Sequence, residues 1–200
     1  MKHHLISGGC GFVGRNMAKH LYRTTQDLII IVDDLSVGLP PSKWIGVEDV
    51  FGTNQASKVE GDIEYWGKDE RVVFWKGDFR HFLRNMMEQD SWLRETFGFT
   101  QFNDVFHYAA IVGGRAKIDG DPMMVALDLA IDAELFYWAV RHKPDRLMYP
   151  SSSAAYPVNL QAEGGFVALK EADIDFAGGN LGKTDKTYGR SQLTGENLAR

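Results

Sequence analysis

Residues 5–16, "LISGGCGFVGRN", set a run of glycines between a short apolar stretch and the start of a helical pattern. A bound pyrophosphate needs backbone N–H groups at close range. Glycine lets the chain turn and approach that tightly, and a helix N-terminus adds a favourable partial positive charge. Gly8, Gly11 and Gly14, with Phe12 and Val13 between them, are the candidate phosphate-binding turn. An ordinary glycine-rich turn has the same composition, so the motif gains its weight from a second apolar run, which ends at Asp33, 19 residues past Gly14. A carboxylate there accepts ribose hydroxyls and repels a 2′-phosphate, which favours NAD over NADP. Asp34 comes next, with no arginine nearby to reverse the preference.

Further short apolar runs lie at Val72–Lys76, Asp104–Tyr108 and Arg146–Tyr149, after those at His3–Ser7 and Leu28–Asp33. Helical patterns separate them at Phe12–Arg23, His81–Phe97 and Pro122–His142, and another starts near Asp185. Strands without polar alternation, separated by helices, predict an α/β fold with a Rossmann-type doubly wound parallel sheet. Two stretches are long for simple connections. Residues 36–70 read as an inserted excursion with a short helix, and 157–184 as a second loop, placed where a substrate would lie. The chain stops inside its last helix, so residues 1–200 read as the front part of a longer enzyme, an NAD-binding domain whose C-terminal substrate-binding part is missing.

Composition narrows the partners. A net charge of −5 with no basic stretch argues against nucleic acid and anionic membrane. The longest apolar runs are too short for a membrane span or a signal-peptide core. Cys10 is the single cysteine, which fits a reducing cytoplasm. The six histidines lack metal-site spacing, so no metal is expected.

Beyond the glycine turn, four stretches carry chemistry. Asp78 in "KGDFRH" can accept the adenine amino group with Phe79 beside the ring, or can cap the helix starting at His81. In "VFHYAAIVGGRAK", Tyr108 and the small Ala109 and Ala110 let a flat cofactor pass over a strand end, or simply pack. Gly113, Gly114 and Arg115 then form a loop that can reach a substrate phosphate or sugar, Arg115 being equally suited to a plain surface position. In "YPSSSAAYP", a serine leaving the fifth strand can hydrogen-bond a hydroxyl under oxidation, or merely cap backbone. "TYGRSQLTGENLAR" opens an amphipathic helix with Tyr188 in its first turn and Gln192 one turn later.

These pieces, in this order, resemble the extended short-chain dehydrogenase/reductase family, and within it the nucleotide-sugar epimerases and dehydratases. The course "AAIVGG…SSSAAYP…LKEADIDF…YGRSQ" looks most like the branch containing GDP-mannose 3,5-epimerase. The resemblance implies a Tyr-x-x-x-Lys pair with an upstream Ser or Thr, in which NAD takes a hydride from a sugar carbon while the tyrosinate removes the hydroxyl proton. Tyr188 matches the tyrosine. Counting back from Tyr156 gives Ser152 the hydroxyl role, while counting through the serine run gives it to Ser153. Family dehydratases carry acidic groups just after that Ser/Thr. Here Ser153 and Ala154 stand instead, and the cysteine of the 3,5-epimerase is also lacking at 154. Oxidation and reduction at C4 of a UDP- or GDP-linked sugar is therefore the expected chemistry. A dehydratase with displaced acids and a non-catalytic NAD-binding regulatory protein of the same fold are the alternatives. The family pairs subunits through the helices after strands four and five, which implies a homodimer.

Gln192 stands where the pattern has lysine. Its amide can still donate to the nicotinamide ribose, but it brings no charge to lower a phenol's pKa. A phenol of ordinary pKa near 10 is ionised about one part in a thousand at neutral pH. Gln192 thus marks a substitution introduced to slow the enzyme, a natural site with a different base, or a cofactor-binding protein without catalysis. Asp128 falls where many family members have asparagine, a change for which the sequence offers no physical account.

Overall fold

The middle of the central sheet is built from short β-rich runs with apolar residues on both faces. In the computed structural model, which describes residues 1–45, 51–53, 55–111, 113–160 and 167–200, seven strands form one sheet. They are β1 (His3–Ser7), β2 (Leu28–Asp33), β3 (Lys58–Glu60), β4 (Ile63–Trp66), β5 (Val72–Lys76), β6 (Asp104–His107) and β7 (Arg146–Met148), in the order β3-β4-β5-β2-β1-β6-β7. The five strands β5-β2-β1-β6-β7 run parallel, with Ser7 of β1 in register with Val32 of β2 and His107 of β6. Buried residues dominate β1, β2, β5 and β6 because both faces are covered, whereas β7 at the sheet edge is largely exposed.

The chain divides into two units, one of residues 1–109 and 137–148, the other of residues 110–136 and 149–200. The first holds the whole sheet with α1 (Phe12–Thr24), α2 (Phe79–Glu88) and α3 (Trp92–Phe97). Alternation sorts its core onto two faces. Ile6, Ile29, Ile31, Val72 and Phe74 join Ala18 and Leu21 of α1 and Trp44, Ile45 and Phe51 of the insertion. From the opposite side of β5, Trp75 stacks edge-on against Phe82 of α2, whose ring also meets Trp92, Phe97 and Phe102. This is the doubly wound α/β arrangement expected from the sequence.

Three elements differ from expectation. The 36–70 insertion is more than a loop with one short helix. Among its described residues it contributes a 3-10 turn (Pro41–Lys43) and a hairpin whose β4 pairs antiparallel with β5, so the sheet is mixed. Residues 46–50 and 54 of that insertion lie outside the described residues. The helix expected over His81–Phe97 starts two residues earlier and breaks between Glu88 and Trp92. Asp78 caps its start by accepting the Arg80 N–H at 2.8 Å, and the polar Gln89-Asp90-Ser91 segment favours a turn over helix interior. The pattern over Pro122–His142 divides at Leu127 into α5 (Pro122–Ala126) and α6 (Asp128–His142).

Among its described residues, the second unit contains α4 (Arg115–Gly120), α5, residues 128–136 of α6, three 3-10 turns and α7 (Lys186–Leu198). Its small core is Ala155, Ile174 and Leu193, with Tyr156, Phe176 and Leu181 packed around them. Within the described residues, no helix is long and apolar enough to cross a membrane.

Candidate active site

In the first unit, the glycine turn is shaped by two close backbone approaches. Gly8 has φ +63°, and a Cβ there would lie 2.6 Å from the Tyr108 carbonyl carbon and 2.7 Å from the Ala109 nitrogen. A Cβ on Gly14 would lie 2.6 Å from Gly9 Cα and closer still to the Gly8 carbonyl oxygen. Only hydrogen fits at either place, so α1 can begin directly against the turn. Gly11 is its N-cap, no side chain caps it, and no acidic residue lies in its first turn. The first intrahelical bond is from Arg15 N–H to the Gly11 carbonyl at 3.1 Å. The N–H groups of Phe12, Val13 and Gly14 precede it and are available to an anion. The side chains of Phe12 and Val13 are exposed.

Asp33 ends β2 beside this turn. Its carboxylate accepts the Cys10 N–H at 3.0 Å and the Leu35 N–H at 2.8 Å. Burial holds its carboxyl above the usual carboxylate range, with the Asp34 charge adding to the effect and the two N–H bonds opposing it. A carboxylate has about four acceptor sites, so two remain for ribose hydroxyls. Asp34 is exposed and accepts the Ser36 N–H at 2.9 Å. Cys10 is fully buried, and burial pushes its thiol far up, which leaves it protonated and unreactive.

Asp78 is engaged locally. Besides the Arg80 N–H, it binds the Arg80 guanidinium, with Nη2 at 2.5 Å, and this partner holds its carboxyl below the usual range. Phe79 is buried, its ring 5.5 Å from that of His107. Tyr108 and Ala109 are half-buried, and burial raises the Tyr108 phenol.

In the second unit, Ala110, Gly113 and Gly114 are exposed. Arg115 opens α4 instead of extending a loop, and its side chain lies outside the described residues, as do residues 112 and 161–166. Ser152 precedes a 3-10 turn (Ser153–Ala155) and its Oγ accepts the Ala154 N–H at 3.2 Å. Ser153 is exposed.

Tyr188 is half-buried in the first turn of α7, and Gln192, 5% exposed, stands one turn later. The contact that fixes this helix is at Gly189. A Cβ there would stand 3.0 Å from the Ala154 carbonyl carbon, closer still to its oxygen, and 3.2 Å from Thr184 Cβ. The same carbonyl accepts the Asp185 N–H at 3.1 Å. The backbone bearing Tyr188 is thereby pressed onto the serine turn that begins at Ser152. Further along α7, Glu196 accepts the Ser151 hydroxyl, while Tyr149 donates to Asp132 at 2.8 Å and lies against Gly195. Among the described residues, no cluster of His, Cys, Asp and Glu is arranged to hold a metal ion.

Sequence reasoning left Ser7, His107 and Gly189 unassigned. Glycine inside a helix costs about 1 kcal/mol against alanine, so Gly189 was a readable sign of close packing.

A family model described as the NAD dependent epimerase/dehydratase family matches residues 4–200. Comparison with curated proteins finds no match. Among solved structures, a UDP-Glc/GlcNAc 4-epimerase from Campylobacter jejuni superposes with TM-score 0.65 at 18% identity, over 99% of this chain and 48% of that one. A dTDP-glucose 4,6-dehydratase from Streptomyces venezuelae with NAD bound gives TM-score 0.63 at 17% identity, over 98% of this chain and 50% of that one. A UDP-glucose 4-epimerase from Brucella ovis in complex with NAD gives 0.59 at 20% identity, over 99% and 46%. The chain thus spans about half the length of these structures, and at such identities the likeness is one of fold. With the family model matched over nearly its whole length, and a glycine turn and Asp33 that fit a dinucleotide, the chain belongs to the NAD-dependent epimerase/dehydratase family and its cofactor is NAD.

Proposed function

We propose that this chain carries the hydride-transfer machinery of a nucleotide-sugar epimerase acting at C4 of a UDP- or GDP-linked sugar. NAD, when bound, supplies reversible hydride acceptance. The N–H groups of Phe12, Val13 and Gly14 hold its pyrophosphate, and Asp33 holds its ribose hydroxyls. Ser152 orients the sugar hydroxyl and Tyr188 takes its proton. The observation that carries this reading is the Gly189–Ala154 contact, which ties the turn bearing Tyr188 to the serine turn. Neither Ser153 nor Ala154 can act as the acid that an elimination needs, which favours epimerisation over dehydration. We place the protein in the cytoplasm as a homodimer formed through the helices of residues 122–142 and α7.

Gln192 favours one second reading. It is buried on the same face of α7 as Gly189, and it has no charge with which to stabilise a phenolate. The chain as it stands is then an impaired enzyme or a non-catalytic NAD-binding protein. The deciding experiment incubates the protein and its Gln192→Lys variant with UDP- and GDP-sugars. NADH absorbance and product NMR are followed. A general base contributes about 10²–10⁴-fold, so turnover should appear or rise by about 10²-fold in the lysine variant. Equal turnover in both forms would mean that another group does the lysine's work. No turnover and no transient NADH in either form would support the non-catalytic reading.

A further inference from the structure

The strand that feeds the glycine turn ends in a buried polar pair that the proposed chemistry does not use. Ser7 and His107 face each other in the parallel register of β1 and β6, Ser7 fully buried and His107 only 3% exposed. Ser7 Oγ lies 2.7 Å from His107 Nδ1. The same Oγ accepts the Ala109 N–H at 3.2 Å and shares the Tyr108 N–H, at 3.2 Å, with the Ser7 carbonyl at 3.0 Å. A hydroxyl has two acceptor lone pairs and one proton. With both lone pairs taken by backbone N–H groups, the Ser7 proton goes to Nδ1. His107 is then a neutral imidazole carrying its own proton on Nε2.

We infer that Ser7 and His107 are a positioning pair that sets the Tyr108–Ala109 backbone against Gly8 and so fixes the shape of the NAD-binding turn. The inference rests on NAD being held at Gly8–Gly14. Its leverage comes from Gly8, where the space for a Cβ is already closed by the Tyr108 carbonyl carbon at 2.6 Å and the Ala109 nitrogen at 2.7 Å. Two backbone segments in such contact cannot drift relative to each other without opening or blocking the turn. The pair ties them by a side chain on each strand, and the Phe79 ring, 5.5 Å from the imidazole, packs against it. His107 acts here as an acceptor held in one tautomer, not as a cation.

The test has a spectroscopic arm and a binding arm. In ¹⁵N-histidine-labelled full chain, His107 should show an unprotonated Nδ1 and a protonated Nε2. A proton on Nδ1 overturns the inference without any variant. NAD affinity is then titrated calorimetrically for wild type, Ser7→Ala, His107→Leu and His107→Asn. Loss of one such hydrogen bond should weaken NAD by about tenfold in Ser7→Ala and His107→Leu. His107→Asn, whose Oδ1 can stand where Nδ1 stood, should stay within about threefold of wild type, since it keeps the acceptor. Equal loss in the asparagine and leucine variants means that only ring packing matters and refutes the pair. Unchanged affinity in Ser7→Ala refutes it as well. A wild type that does not bind NAD overturns the cofactor site itself, and is distinguished from both by that control.

Discussion

Replacing Gly189 by alanine sets two effects of opposite sign against each other. Helix propensity favours alanine over glycine by about 1 kcal/mol in a helix interior. The new methyl group, however, would sit 3.0 Å from the Ala154 carbonyl carbon and 3.2 Å from Thr184 Cβ. Carbon pairs settle at about 3.5–4.0 Å, and the Ala154 carbonyl oxygen would lie closer still, so α7 must withdraw by about 1 Å. The carbonyl cannot swing aside freely, because it accepts the Asp185 N–H at 3.1 Å. Overpacking of this kind costs about 1–3 kcal/mol, which leaves a net loss of up to about 2 kcal/mol after the propensity gain. For a chain of this size that lowers Tm by up to roughly 8 °C. The larger consequence is for Tyr188, on the neighbouring residue. A displacement of about 1 Å costs on the order of 10²-fold in rate. The assay pairs thermal unfolding with epimerase turnover, in whichever of the wild-type and Gln192→Lys backgrounds is active. Gly120→Ala is the control, since a Cβ there meets nothing within 4 Å and should be neutral or slightly stabilising. A Gly189→Ala protein that gains stability as the control does refutes the close contact. Lost stability with unchanged turnover refutes its role in placing Tyr188.

Gly14→Ala drives a methyl group into Gly9 Cα at 2.6 Å and should weaken NAD by more than about tenfold in a fluorescence titration. Asp33→Asn should lower the preference for NAD over NADP by about tenfold, because the charge that repels a 2′-phosphate is gone. Burial holds the Asp33 carboxyl above its usual range, so wild-type NAD affinity should fall on acidification earlier than an exposed aspartate would dictate, while the asparagine variant stays flat. Asp104, 4% exposed, accepts from Arg146 at 2.6 Å and faces His4 Nδ1 at 3.0 Å. The Arg146 bond above all depresses its carboxyl, so its contribution is complete above the unfolded value near about 3.9 and is lost as pH falls through the lower folded value. Asp104→Asn should therefore cost about 2 kcal/mol at pH ~7 in urea unfolding, with the difference shrinking below pH ~4.

How much could be read in advance depended on how local each cause was. The central parallel strands were legible because a strand covered on both faces is a plain apolar run, and the glycine turn because its spacing lies within seven residues of chain, from Gly8 to Gly14, although the Tyr108–Ala109 backbone that closes it at Gly8 comes from a distant strand. The β3–β4 hairpin was missed although Gly61-Asp62 joins its strands with Gly61 at φ +61°. Its strands bury little beyond Trp66, so the apolar signal was weak. Asp78 supported two roles in the sequence, and the cap geometry is the one visible in the fold, since a neighbouring N–H and guanidinium reach it without any tertiary arrangement. Ser7 and His107 are a hundred residues apart and meet only through the β1–β6 register. No periodicity within either strand contains that information. The Asp128 carboxylate accepts the Ile111 N–H at 2.6 Å, which fixes the chain just after Ala110, but an asparagine Oδ1 accepts the same bond, so the exchange itself has no structural explanation.

The question posed by Gln192 reduces to a comparison of energies. Ionising a phenol of ordinary pKa at neutral pH costs about 4 kcal/mol. The start of α7 offers an anion there about 0.3–1 kcal/mol through the helix dipole, a quarter of the need at most. A cation about 4 Å away at an effective dielectric near 20 supplies about 4 kcal/mol, which matches the whole of it. Glutamine supplies none. Arg190, two residues after Tyr188, is exposed on another face of α7, and Lys186, two residues before it, has its Nζ paired with Asp119 Oδ1 at 2.8 Å and is more than half exposed to solvent. Its charge is largely neutralised where it stands. Lys186→Met should accordingly leave turnover unchanged, in the glutamine form and in Gln192→Lys alike. A tenfold or greater fall confined to the glutamine form would make Lys186 the missing cation, and would show that the helix start had been reorganised around a base assisted from outside the Tyr188–Gln192 face.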